Sequence, residues 1–453
     1  MDKEKLFKEG NIKKAIIKLS LPLVVSQLVN VLYNIVDRIY VGNIPGIGKD
    51  ALAGLGVTFP IIMIISAFAA LFGAGGAPIA AIQMGEGKKD KAQETMMNGL
   101  FMLLTIGIIL TIILLIFGEN LLFLFGAKDS IINYSKEYLN IYSLGTIFVM
   151  ISLGMTSYIT AQGNTNVAMF SVIIGAVLNI VLDPIFIYTF DMGVSGAALA
   201  TIISQAVSSA YIIIFLCSKN SNLRINFKKT NLKTVLPIIA LGVSPFIMNA
   251  TESLIQIIFN IQIKKYGGDD YIIYINVITI MLSLMQVIIL PLTGLSQGVS
   301  PLISYNYGAG KIDRVKEAIK YLIRISLIYS LSFYIIIFLA PNLFVRIFNN
   351  DPRLLEISPK LFRIFFAGIS IMGLQIACQN TFMALKQSLI SLLLALLRKV
   401  ILLTPLALLL PFALGINGVF YSEAIADIIA VITTTTVFAI FLPKILDKKL
   451  NNL

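Results

Sequence analysis

Long apolar runs alternate with short breaks rich in Gly, Pro, Asn and Lys along the whole chain. Each run is close to or above the ~20 residues a helix needs to cross a bilayer. Twelve such runs predict twelve helices, at roughly 15–41, 52–82, 97–117, 138–159, 166–190, 194–217, 235–263, 272–303, 319–340, 362–384, 389–413 and 417–442. Runs longer than the bilayer is thick are expected to tilt or to extend beyond it.

The punctuation between the runs repeats. At a spacing of 223 residues Pro22 matches Pro245, Gly75 matches Gly298 and Pro78 matches Pro301, and PIAAIQMGEGKKD answers PLISYNYGAGKID. A later echo, GVSG at 193–196 against GING at 415–418, shifts the spacing to 222. The expectation is an all-α integral membrane protein of two pseudo-symmetric six-helix lobes. The N-lobe is placed at 1–217, a basic linker at 218–234 and the C-lobe at 235–453. Parallel repeats around a central cleft are a transporter architecture.

Composition agrees with the pattern. The 453 residues are 57% hydrophobic and only 13% charged, with a mean hydropathy of +0.89 and no His or Trp; a soluble protein carries about 25% charged residues. The net charge of +12 is spread between apolar spans rather than gathered on a soluble domain, which argues against nucleic acid as a partner. By position, 22 of the 35 Lys and Arg fall on one side of the membrane, so the positive-inside rule predicts cytoplasmic termini. The polar start, MDKEKLFKEGNIKKAIIKLS, lacks a short apolar core with a cleavage site, and the first span is expected to direct insertion. Cys217 and Cys378 make neither a disulfide framework nor a metal motif.

Candidate chemistry comes from polar residues inside apolar runs. In LNIVLDPIFIYTF, Asn179 and Asp183 are four apart and share a helical face. An aspartate at mid-membrane costs about 2.5–3.5 kcal/mol on insertion scales and usually faces protein or a watery cavity. Pro184 follows at once and frees backbone polar groups beside the acid. Tyr33 and Asp37 in the first helix, and Thr201 and Gln205 in the sixth, repeat the four-residue spacing. Two aspartates, an amide, a phenol and a hydroxyl suit H⁺ or Na⁺ and argue against a transition metal. A structural reading stands beside the ionic one, with Asp183 satisfying a proline kink and Asp37 pairing with a basic neighbour such as Arg38.

The second half has lost the carboxylate pair. Asn260 stands opposite Asp37, and Thr404 opposite Asp183. Its own buried charges are Glu252, Arg398, Lys399, Glu423 and Asp427; Arg398 is expected to pair with Glu423 or Asp427 as a structural network. Glu252 is a candidate contact for a cationic substrate. Gln205, Asn260, Met281 and Met285 are candidates for lining a substrate cavity, the methionines with core packing as the alternative. GEGKKDKA and GAGKIDRV lack phosphate-loop spacing, so ATP is not expected as the energy source.

LYNIVDRIYVG, GAGGAPIAAIQMGEG, LNIVLDPIFIY, GVSGAALATIISQ, ACQNTFMALKQS and LLRKVILLTPL together resemble the multidrug and toxic compound extrusion (MATE) transporters of the wider polysaccharide-flippase superfamily, and most of all the bacterial multidrug exporters among them. That resemblance covers the whole chain. It implies two lobes forming an outward-facing V and export of lipophilic or cationic compounds, driven by H⁺ or Na⁺ entry. It also implies an N-lobe cation site at Asp37, Asn179, Asp183 and Thr201 with Tyr33 nearby, no cofactor, no enzymatic activity, a monomer, and residence in the bacterial plasma membrane. A flippase for lipid-linked oligosaccharides or lipids is the alternative within the superfamily; it needs several Arg or Lys in the cleft, where only Arg398 and Lys399 are candidates.

Overall fold

Every described element is a helix, because unbroken apolar stretches can satisfy their backbone in lipid only within themselves. The computed structural model describes residues 7–125, 127, 131–226, 234–348 and 352–451. In chain order the helices are α1 (Ile12–Gly42), α2 (Gly48–Gly85), α3 (Lys89–Leu124), α4 (Ile132–Leu144), α5 (Thr146–Ala161), α6 (Thr165–Pro184) and α7 (Gly193–Cys217). There follow α8 (Val235–Tyr266), α9 (Tyr271–Gly308), α10 (Ile312–Leu339), α11 (Pro341–Phe348), α12 (Pro352–Phe365), α13 (Ile369–Ala384), α14 (Ser388–Leu396), α15 (Thr404–Leu414) and α16 (Ile416–Asn451). Ten described helical spans are long and apolar enough to cross a membrane, with an eleventh if α4 and α5 count as one bent by 59°. The remaining position of the twelve is α8, whose apolar part is Val235–Thr251.

The repeat written in the sequence is a repeat of structure. α2 and α9 are both 38 residues long and start and end 223 residues apart. Gly87 and Gly310, in the loops that follow, have φ of +75° and +72°, a left-handed conformation open to glycine at little cost. The next turn closes identically, Lys88 N–H donating to Gln83 O and Lys311 N–H to Asn306 O, both at 2.9 Å.

Two compact units divide the chain, one formed by 21–249 and the other by 1–20 with 250–453. This cut differs from the six-plus-six division of the spans, and it does so symmetrically. In the first unit, Gly75 of α2 lies against Ile238 O and Gly242 at the start of α8, where an added Cβ would come within 2.4 Å. In the second unit, its repeat partner Gly298 lies against Ser20 of α1, again with 2.4 Å left for a Cβ. The first turns of α1 and α8 therefore each pack with the half that does not contain the rest of the helix. The chain before α1 follows: Phe7 stacks on Tyr305 at 5.1 Å, and Arg314 donates to Phe7 O and Gly10 O.

Small residues set the packing inside the first unit. Gly73 meets the backbone of Gly154, bringing α2 onto α5, and Tyr158 Oη–H donates to Phe72 O at 2.8 Å across Gly76 and Gly99. The second unit has a more aromatic core, with Phe259, Phe362, Phe365, Phe366 and Phe420 around Met281, Met285 and Met372.

Candidate functional site

Within the first unit α6 packs against α7, and the point where α6 loses α-helical geometry fixes the site. Pro184 has no N–H to donate, and the next five residues, Ile185–Thr189, form a π-helical turn. Gly193, at φ +54°, turns the chain, and Gly196 lets α7 press onto the backbone of Phe186 and Ile187, where a Cβ would have 2.7 Å. The GVSG motif thus brings Thr201, two turns into α7, opposite Asn179 and Asp183.

Asp183 is fully buried, Asn179 is 1% exposed and Thr201 5%. Asn179 Nδ2 donates to Asp183 Oδ1 at 3.1 Å and to Thr201 Oγ1 at 3.3 Å, and Thr201 Oγ1 donates to Ala197 O at 3.0 Å. Asp37, on α1, lies within electrostatic range of Asp183. Three enclosed oxygens of this cluster, Asp37 Oδ1, Asn179 Oδ1 and Asp183 Oδ2, have no hydrogen-bond partner among the described residues. Tyr33 lies in the electrostatic range of both aspartates. Arg38 extends to the ring of Phe59, 5.3 Å from its centroid.

Two further residues belong to the cluster. Tyr138 and Tyr142 of α4 are 4% and 5% exposed, stack at 5.9 Å, and stand in the electrostatic neighbourhood of Asp37 and Tyr33. They were assigned no role from sequence: INYSKEYLNIYSL opens a span, where tyrosines are common without a site. Their four-residue spacing was the available signal. Tyr188, in the π-helical turn, donates to Tyr40 O at 2.6 Å and ties that turn to α1 one turn beyond Asp37.

The other candidate residues lie elsewhere. Gln205 is half-buried one turn beyond Thr201, and Asn260 is exposed on α8. Met281 and Met285 are 0% and 7% exposed in the core of the second unit. Glu252 is on α8, and its side chain lies outside those described. Arg398 and Lys399 sit in a second π-helical stretch, Leu397–Leu403, and are both buried. Arg398 Nε donates to Asp427 Oδ1 at 2.7 Å, and its Nη2 lies 3.4 Å from Glu423 Oε1. Asp427 packs on Gly368, where a Cβ would be 2.4 Å from the aspartate Cβ. No group of three or more His, Cys, Asp or Glu suited to a metal occurs among the described residues.

Comparison with known proteins identifies the family and the fold. The chain is 27% identical over 424 residues to the multidrug export protein MepA of Staphylococcus haemolyticus, covering 93% of this chain and 92% of that one. Against MepA of Staphylococcus aureus it is 25% identical over 423 residues, with the same coverage. A solved structure described as MATE in the bent conformation superposes with a TM-score of 0.91 at 25% identity over 99% of both chains. A transporter of the MOP superfamily from Pyrococcus furiosus, described as having a binding pocket of reverse polarity, superposes with a TM-score of 0.90 at 24% identity, covering 98% of this chain and 99% of that one. The MatE family model matches residues 22–185 and 245–409, one segment per repeat and together well over half of the sequence, and the chain belongs to the MatE family of membrane transporters.

Proposed function

We propose that this protein is a secondary active multidrug exporter, an antiporter that moves lipophilic and often cationic compounds outward in exchange for H⁺ or Na⁺ bound at Asp37 and Asp183. The observation that carries this reading is the nearness of two carboxyls, Asp37 of α1 and Asp183 of α6, in a cluster where three enclosed oxygens lack a donor among the described residues. Arg38 acts on Asp37, but Asp183 makes no ion pair with a described residue, and the cluster gains from a small hard cation. Antiport needs the driving ion and the substrate to oppose each other's binding, and that opposition is reciprocal. A carboxylate pair neutralised by an ion is a poorer partner for a cationic drug, and a bound drug is a poorer neighbour for the ion. The similarity to MepA supports the range of substrates, and the positive-inside count supports cytoplasmic termini in the plasma membrane. Arg398 is engaged by Asp427 and Glu423 and Lys399 is buried, which weighs against the flippase reading.

The test is dye efflux from cells or vesicles containing wild type and Asp183→Asn, first under an imposed pH gradient and then under an imposed Na⁺ gradient. Wild type is expected to export under one of them, which names the ion. Asp183→Asn keeps the shape and the contact with Asn179 but cannot take up a cation, and is expected to lose gradient-driven efflux. Undiminished efflux by Asp183→Asn would overturn the assignment of the site.

A further inference from the structure

An open-sided groove of about 510 Å³ runs between α10 and α16 in the second unit. Its polar edge is a stripe of three cations on one face of α10, Lys316, Lys320 and Arg324, at four-residue spacing. Its floor is apolar, with Ile323 from α10 and Phe438 and Leu442 from α16. All three cations are solvent- or lipid-facing, and none makes an ion pair or a hydrogen bond with a described residue. At 1.5 Å per residue the stripe descends about 12 Å along α10, from the polar first turns to the edge of the uncharged stretch 325–339. An arginine at that depth is costly unless its charge is met by an anion or reaches the interface.

The repeat supplies a control. Counterparts of Lys316, Lys320 and Arg324 in the first half are Gln93, Met97 and Phe101, so the fold itself does not require the basic stripe. There the chain covers its own groove. Gln93 Nε2 donates to Arg224 O at 2.6 Å, Asn226 N–H donates to Met97 Sδ, and Ile225 N–H donates to Leu216 O, the counterpart of Phe438. Leu223 is fully buried. That covering is possible because α7 stops at Cys217, whereas α16 continues helically through Asn451 and leaves the matching face open. In place of the buried Met97 stands the exposed Lys320.

We propose that the groove between α10 and α16 is a binding site for one anionic phospholipid of the leaflet facing the termini. Its phosphate is met by Lys316 and Lys320 at headgroup level and by Arg324 reaching up from below, with an acyl chain laid against Phe438 and Leu442. Charge complementarity selects the lipid: three unpaired cations beside an apolar trough fit an anionic headgroup with a tail, and fit a zwitterionic one less well. Basic pockets between membrane helices on the cytoplasmic side hold anionic headgroups by the same physics.

The experiment uses the purified full chain in detergent, read by thermal unfolding and by native mass spectrometry of retained lipid. Phosphatidylglycerol is compared with phosphatidylcholine at equal concentration, since a ligand specific to the folded state raises its unfolding temperature. Wild type is expected to be stabilised more by phosphatidylglycerol. Lys316→Gln/Lys320→Gln/Arg324→Gln is expected to lose that difference, with apparent affinity weakened by roughly tenfold or more. Arg324→Gln alone, the mildest change, is expected to lose part of it. Lys88→Gln/Lys89→Gln/Lys91→Gln, which removes as much charge from the first-half loop, is expected to keep it. Equal stabilisation by the two lipids, or an undiminished phosphatidylglycerol effect in the triple variant, would overturn the proposal. So would inorganic phosphate alone reproducing the effect, since that would make the site one for a free anion.

Discussion

Asp183 and Asp427 are both completely enclosed, yet their surroundings give them opposite characters. Asp427 faces the guanidinium of Arg398 at 2.7 Å, so its charge is compensated within the protein. Asp183 faces the amide of Asn179 and a second carboxyl, and nothing described in the cluster offsets its charge. Breaking a buried ion pair by removing one partner costs about 3–5 kcal/mol, because the remaining charge is stranded, whereas neutralising all partners together costs far less. Arg398→Met is therefore expected to lower the unfolding temperature in detergent sharply, and Arg398→Met/Glu423→Gln/Asp427→Asn to recover most of the loss. Asp183→Asn strands no counter-charge. Its unfolding temperature is expected to stay near that of wild type or rise, while efflux is lost. A triple variant no more stable than Arg398→Met would show that the network does more than compensate charge.

Two equivalent helix-to-helix turns differ at one position. Gly163, between α5 and α6, has φ +77°, and Lys386, its counterpart 223 residues on between α13 and α14, has φ +60°. The turns are otherwise alike: the N–H after each donates to the carbonyl five residues back, Asn164 to Ile159 and Gln387 to Phe382. A left-handed non-glycine residue costs on the order of 1 kcal/mol or more. Lys386→Gly is expected to stabilise the protein by about that amount if relief of strain exceeds the added chain entropy, and Gly163→Ala to destabilise it comparably. Paired unfolding curves of the two variants check both signs. The same repeat shows what the sequence made legible at this scale. Matched Pro and Gly marked the helices and the repeat, because turn chemistry is local, while several helix ends lie some residues away from where the apolar runs put them. The π-helical turns at 185–189 and 397–403 were hidden, because a run of five to seven residues does not distinguish a wider helix from an ordinary one. The bend between α4 and α5 rests on the single Gly145 and was hidden for the same reason. Of the site, Asn179, Asp183 and Thr201 were legible as intramembrane polar residues at helical spacing. Tyr138 and Tyr142 enter only through the packing of α4 on α7, and the exchange of the first turns of α1 and α8 depends on glycine contacts between residues more than 150 positions apart.

For the whole transporter, the proposed coupling site limits the energetics of exchange. One elementary charge descending 100 mV releases about 2.3 kcal/mol, enough to hold a roughly 50-fold gradient of an uncharged substrate at about 1.4 kcal/mol per decade. The Asp37–Asp183 pair is proposed as a site for one monovalent cation per cycle. Exchange of one monovalent ion per substrate follows. For an uncharged drug that cycle moves one net positive charge inward, and the membrane potential drives it. For a monovalent cationic drug the charges cancel, so the potential contributes nothing and only the ion's concentration gradient remains. In proteoliposomes with the ion gradient held fixed, a potassium-diffusion potential is thus expected to accelerate export of a neutral dye and to leave export of a monocationic dye unchanged. If the potential accelerates the monocation as well, more than one cation enters per turnover, and both carboxyls of the Asp37–Asp183 pair must exchange their charge during the cycle.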